Sequence, residues 1–204
     1  AYGIRSERVA LIPNGVDPER MDAGGDGRAE RAALDLPADA ALIGLVCRCH
    51  HVKGGDLFVE AMAHLVKTAP SIYGVVVGDG PKRTVWQALA AEQGLADRIA
   101  FVGAVPNAAP WIRACDVIVC PSRQESFGLV AVEAQAAAVP VIGTRIDGLR
   151  EVIEHGVTGL LVSRDDATGL AAAVSTLLNN ASLREQLTVA GPEQAARYSI
   201  NRTA

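Results

Sequence analysis

Pro121-Ser122-Arg123-Gln124-Glu125-Ser126-Phe127-Gly128-Leu129-Val130-Ala131-Val132-Glu133-Ala134-Gln135 follows directly on the apolar run Asp116-Val117-Ile118-Val119-Cys120. The run reads as a buried strand. Pro121, which has no N–H for a ladder, ends it. Ser122 to Ser126 are polar and read as a loop, and from Phe127 onward the composition is helical and almost wholly apolar. Strand, loop and helix in that order put the loop at the carboxyl end of a strand, where open α/β sheets hold their ligands.

Glu125 and Glu133 frame this stretch as Glu-x7-Glu. At about 1.5 Å of rise per helical residue they stand on the order of 12 Å apart. That is too far for the carboxylate pair of a glycosidase, which needs roughly 5–9.5 Å. The spacing suits two ends of one long ligand. The helix N-terminus between them offers free N–H groups and the positive end of a dipole, so the middle of that ligand is expected to be anionic. Glu133 is the sharper clue, because it lies among Val130, Ala131, Val132, Ala134, Ala136 and Ala137. A buried carboxylate without partners is costly, so it is expected to meet a ligand, the alternative being a structural ion pair.

Working outward, short apolar runs recur on both sides: 9–12, 41–47, 73–77, 99–102, 139–143 and 158–162. Between them lie helical patterns, clearest where Leu57, Phe58, Ala61, Met62, Leu65 and Val66 share one face. Further helices are expected from Pro81 to Gln93 (ended by Gly94), from Ala109 to Ala114, as a short one after Asp147, and over 167–178 and 183–198. One helical turn is expected near Arg28 to Leu34. Strands alternating with helices mean βαβ units. The expected fold is α/β: a single Rossmann-like domain with a parallel six-stranded sheet and helices on both faces. Asp165-Asp166 reads as a helix cap.

The totals agree. With 204 residues, half of them hydrophobic, the chain can build a substantial core, and a net charge of −4 gives no sign of a nucleic-acid partner. No apolar run approaches the ~20 residues needed to span a bilayer. Of the four cysteines, at 47, 49, 115 and 120, none forms a Cys-x-x-Cys pair. Cys47 and Cys49 are expected to face opposite ways, and buried reduced thiols in a cytoplasmic protein are the reading. His50 and His51 lack a third ligand at metal spacing and no Asp-x-Asp occurs, so no metal is expected. Gly78-Asp79-Gly80 lacks the third glycine of a dinucleotide fingerprint and reads as a turn.

Glu-x7-Glu with Ser-Phe-Gly-Leu after the first Glu resembles the donor-binding C-terminal half of GT-B glycosyltransferases. It is similar to the large retaining group (glycosyltransferase family 4, glycosyl transferases group 1) that includes sucrose-phosphate synthases and bacterial mannosyltransferases. Pro13-Asn14-Gly15-Val16-Asp17, a turn on its own residues, resembles the string that opens the family's second domain. By that resemblance residues 1–8 are the tail of an interdomain linker and 9–204 the donor domain, with the acceptor domain absent. Arg48-Cys49-His50-His51-Val52-Lys53-Gly54 resembles the family's Gly-Arg…Lys-Gly stretch, with Cys47 standing where the family usually has Gly. Likewise Asp147 replaces the first Gly of Gly-Gly-x-x-Glu.

The resemblance implies sugar transfer from a nucleotide-diphosphate sugar, with retention and without a metal. Arg48 and Lys53 would hold the diphosphate and Glu125 the sugar. Glu133 would hold the ribose. Ser126, Phe127, Gly128 and Leu129 would present backbone to sugar and phosphate, and Gly103 and Val105 would meet the base. The fragment alone is expected to be inactive, and any membrane contact would run through the missing half. Two rivals stay open: a GT-B enzyme that hydrolyses or epimerises the nucleotide sugar, and a non-catalytic nucleotide-binding module whose glutamates pair with structural arginines.

Overall fold

A computed structural model describes residues 14–17, 21 and 25–200. The expected strand at 9–12 and the linker tail at 1–8 lie outside the described residues. In chain order the elements are α1 (Arg28–Ala33), β1 (Ala41–Val46), a 3-10 turn (His51–Lys53), α2 (Gly55–Thr68), β2 (Ile72–Val77), α3 (Arg83–Glu92), β3 (Ile99–Gly103) and α4 (Ala109–Ala114). Then come β4 (Val117–Cys120), α5 (Leu129–Ala136), β5 (Val141–Thr144), α6 (Asp147–Val152), β6 (Leu160–Val162), α7 (Ala167–Asn179) and α8 (Ala181–Ala196).

All six strands are parallel and lie in the order β3-β2-β1-β4-β5-β6. The central strands are apolar without interruption because helices cover both their faces. Residue by residue the side chains alternate between two cores. Leu42, Val75, Val77, Ile118 and Val141 face one, with Ala131 and Val132 of α5 and Leu149 of α6. Ile43, Val76, Val117, Val119 and Ile142 face the other, with Phe58 and Met62 of α2, Trp86 of α3 and Val174 of α7. The expected parallel sheet with helices on both faces is therefore what the chain forms.

Strand order reverses between β1 and β4, so their following connections leave in opposite directions and open a crevice at the carboxyl edge. The loops after β1 and β4 carry Lys53 and Glu125. At the chain's other end, Asp166 caps α7 by accepting from Gly169 N at 2.7 Å, and Asn180 caps α8 by accepting from Leu183 N at 3.0 Å. The last helix therefore starts two residues earlier than its apolar spacing suggests. Beyond it, Val16 N donates to Tyr198 O (2.7 Å) and Ile200 N donates to Val16 O (3.1 Å). The Asn-Gly-Val-Asp string is thus stitched to the chain's far end. No helix among the described residues is long and apolar enough to cross a membrane.

Candidate functional site

The loop after β1 is short because Gly54 can turn it. Gly54 holds φ 68°, in the left-handed region, and a Cβ there would sit 2.0 Å from Pro121 O. Only glycine tolerates both demands. The loops after β1 and β4 consequently run against each other: Arg123 N donates to Val52 O at 2.7 Å. Across this contact Lys53 Nζ lies 2.5 Å from Glu125 Oε2, with the two side chains 26% and 18% exposed. Ser122 Oγ, nearly buried, reaches the same carboxylate oxygen at 3.4 Å. Thr144 Oγ1 of β5 donates to Ser122 O at 2.5 Å, anchoring the base of the loop.

The helix after the loop starts at Leu129, two residues later than composition suggests. Gly128 has φ 98°, a left-handed conformation outside the helical basin, so it can only precede the first turn. Phe127 is not helical. Its ring is buried and meets Tyr198 edge-on, centroids 5.2 Å apart, so the side chain belongs to the core. Among the described residues no backbone hydrogen bond is donated by the N–H groups of Gly128, Leu129 or Val130. Three donors at a helix N-terminus, beside an ammonium, form a cradle for an anion. Ser126 is exposed there.

Glu133, half-buried one turn further along α5, lines a cavity of about 510 Å3 together with Leu129, Val105, Asn107, Ala109 and Val16. Thus the loop after β3, three strands away, is brought to α5. Gly103 is not among the residues lining this cavity. It ends β3 with φ 81°, and a Cβ there would be 3.5 Å from Arg83 Nη1. Arg48 is exposed at the end of β1, its guanidinium without a hydrogen bond among the described residues. A larger cavity, about 640 Å3, opens at the amino edge of the sheet near Arg31, Asp116 and Arg184. No candidate residue lines it. Its arginines are already committed, Arg31 to Ala114 O and Asp116, and Arg184 to Leu177 O and Leu178 O.

The four cysteines are all free thiols. Burial pushes Cys120 up to about 12, with Glu125 and Glu133 adding to the rise and Lys53 opposing it, so both glutamates act on one point below the site. Cys47 and Cys49 do not face opposite ways. Residues two apart on an extended chain share a face, and both continue the ladder, Cys47 N to Val77 O and Cys49 N to Asp79 O. A hydrogen bond between the two thiols, followed by burial, raises Cys47, while Lys53 lies close enough to oppose the rise.

Two contacts of the site join segments far apart in the sequence. Arg123 forks onto Asp56 (2.9 and 2.8 Å) and reaches Asp165 (2.6 Å). Gly148 lies under the loop: a Cβ on it would stand 2.4 Å from Glu125 O and 2.8 Å from Phe127 N. Their partners are distant in sequence, so spacing gives no sign of either. Among the described residues no group of three or more His, Cys, Asp or Glu side chains gathers in a way that could hold a metal ion.

Comparison with known proteins identifies the fold and the family. The chain is 38% identical to a D-inositol 3-phosphate glycosyltransferase of Stackebrandtia nassauensis, over 100% of this chain and 48% of that protein. It spans about half the length of the curated relatives it matches. The crystal structure of Anabaena HepE in complex with UDP and glucose superposes with a TM-score of 0.89 at 24% identity, covering 98% of this chain and 56% of that one. The crystal structure of the C-terminal domain of a group 1 glycosyl transferase (LpcC) from Francisella tularensis superposes with a TM-score of 0.80 at 27% identity, covering 91% of this chain and 100% of that one. The family model for glycosyl transferases group 1 matches residues 26–194, and the chain belongs to that family.

Proposed function

We propose that this chain is the donor-binding half of a retaining hexosyltransferase, which moves a sugar from a nucleoside diphosphate sugar to an acceptor held by a preceding domain. One observation carries the reading: Lys53 and the open N–H groups of α5 converge on the crevice at the strand-order reversal, between Glu125 on one side and the Glu133 cavity on the other. That is a cation and a helix N-terminus between two carboxylates, the pattern an elongated ligand with an anionic middle requires.

In this reading Lys53 and Arg48 receive the diphosphate, and the N–H groups of Gly128 and Leu129 share it. As the bond from the sugar's anomeric carbon to the diphosphate oxygen breaks, negative charge grows on the leaving group. These donors stabilise it, a task for which no metal is needed. Glu125, with Ser126 beside it, takes hydroxyls of the sugar. Glu133 takes those of the ribose, and the backbone about Gly103 and Val105 takes the base. Phe127 contributes backbone alone. Uracil is the first base to test, because HepE binds UDP. The relatives' length supports an acceptor half outside this chain, and with it a two-domain enzyme. By itself the chain binds donor and transfers nothing.

The test is calorimetric titration with UDP, GDP and ADP in EDTA, on the wild type and on Glu133→Ala. Binding of one nucleotide by the wild type, weakened at least tenfold in the variant, is expected. Equal affinity in both proteins would remove Glu133 from the site.

A further inference from the structure

We propose that Arg123 is a positioning residue for donor binding: it staples the loop that carries Glu125 to the loop that carries Lys53, and so sets where the cation meets the diphosphate. The proposal rests on the donor-site reading above. Arg123 stands two residues before Glu125, and its guanidinium spends its donors on two other segments. Nη1 and Nη2 fork onto Asp56 Oδ1 and Oδ2 at 2.9 and 2.8 Å, at the first turn of α2. Nη1 also donates to His51 O at 3.0 Å, and Nε donates to Asp165 Oδ1 at 2.6 Å. Its own N–H reaches Val52 O. The contacts at 51, 52 and 56 bracket Lys53 on both sides.

Arg123 is not itself a free cation for a phosphate. Two carboxylates flank its guanidinium, Arg164 Nε lies 3.5 Å from the other oxygen of Asp165, and the planar donor fork of Arg123 is already filled. Its influence on an anion must pass through Lys53. The geometry also depends on arginine: a lysine at this position keeps the charge but cannot fork onto Asp56 while reaching Asp165. Asp165 adds a third anchor. It holds φ 58°, a left-handed backbone that places its carboxylate toward Arg123 just before α7. Three connections at the carboxyl edge, after β1, β4 and β6, are thereby locked to one side chain.

The test compares wild type, Arg123→Lys and Asp165→Asn, each also in a Lys53→Met background. Two quantities are read: UDP affinity, and the rate at which each lysine is acetylated by acetic anhydride, followed by peptide mass spectrometry. Arg123→Lys is expected to raise Lys53 acetylation at least threefold while Lys67 and Lys82 are unchanged, and to weaken UDP binding at least fivefold. Asp165→Asn, which leaves Arg123 and Asp56 in place, is expected to lie between it and the wild type. Once Lys53 is methionine, Arg123→Lys should change affinity by less than twofold. Unchanged Lys53 acetylation in both variants, or the same affinity loss with and without Lys53, would overturn the proposal. A general loosening of the fold differs from it, because all lysines then acetylate faster. If the wild type binds neither UDP, GDP nor ADP, the donor reading fails, and the acetylation rates still decide the role of Arg123.

Discussion

Lys53 Nζ stands 2.5 Å from Glu125 Oε2, across two loops that leave neighbouring parallel strands at the point where strand order reverses. The pair has two consequences that pull in opposite directions. It holds the ammonium in the crevice, and it competes with any anion for that ammonium.

Lys53→Met is expected to weaken nucleoside diphosphate binding by roughly ten- to a hundredfold, the range of about 1.5–3 kcal/mol that a charged hydrogen bond contributes. Glu125→Gln should do the reverse to affinity, tightening the nucleoside diphosphate by releasing Lys53, while abolishing sugar transfer in a full-length enzyme. Calorimetry on both variants reads the two signs directly.

The acid limit of the loop contact should follow Asp56. Burial alone would raise its carboxyl, but the hydrogen bonds and charge of Arg123 outweigh burial and hold it below its ordinary 3.8. Between that lowered value and 3.8 the unfolded chain binds a proton that the folded chain does not. Stability from the pair is therefore complete above 3.8 and is lost as pH falls through the folded value. Urea denaturation of wild type and Asp56→Asn at stepped pH checks this. The wild-type advantage should shrink on acidification below pH 4 and stay constant above pH 5.

Gly54→Ala is expected to be among the costlier substitutions. The left-handed backbone alone costs about 1–2 kcal/mol, and the new methyl would collide with Pro121 O. Gly94→Ala is the control, since Gly94 has φ 72° with nothing within 4 Å of an added Cβ. It should show the conformational cost without the collision. Thermal denaturation of the two gives the difference, and Gly54→Ala should also lose UDP affinity because the collision pushes the loops apart.

The layered fold was legible because period-2 and period-3.6 patterns are local. The apolar run at 117–120 and the face carrying Phe58 and Met62 both need only their own neighbours. Lys53 and Glu125 could be assigned to one edge because every strand points the same way. The clamp of Arg123 on Asp56 and Asp165 was not legible, since nothing local relates position 123 to 56 or 165. Gly148 was legible only as the second Gly of the Gly-Gly-x-x-Glu string, and its place beneath Glu125 O was not. The start of α5 was placed two residues early because composition does not register the left-handed φ of Gly128. Cys47 and Cys49 share a face because they stand two residues apart on an extended chain.

Cys47 continues that face toward the crevice, within electrostatic reach of Lys53. With its ionisation pushed up it stays a neutral thiol at neutral pH, so any hindrance to an anion comes from its bulk. Cys47→Gly is expected to tighten UDP binding severalfold, and iodoacetamide at pH 8 should label the native chain far more slowly than the unfolded chain.

The most direct measurement is the affinity of the wild-type chain for uridine, UMP and UDP in EDTA, taken side by side. The account predicts that UDP binds at least tenfold more tightly than UMP and that uridine is weaker still, because the second phosphate meets Lys53 and the open N–H groups of α5. Equal affinity for the three, or no binding of UDP at millimolar concentration, would contradict a diphosphate site at the crevice.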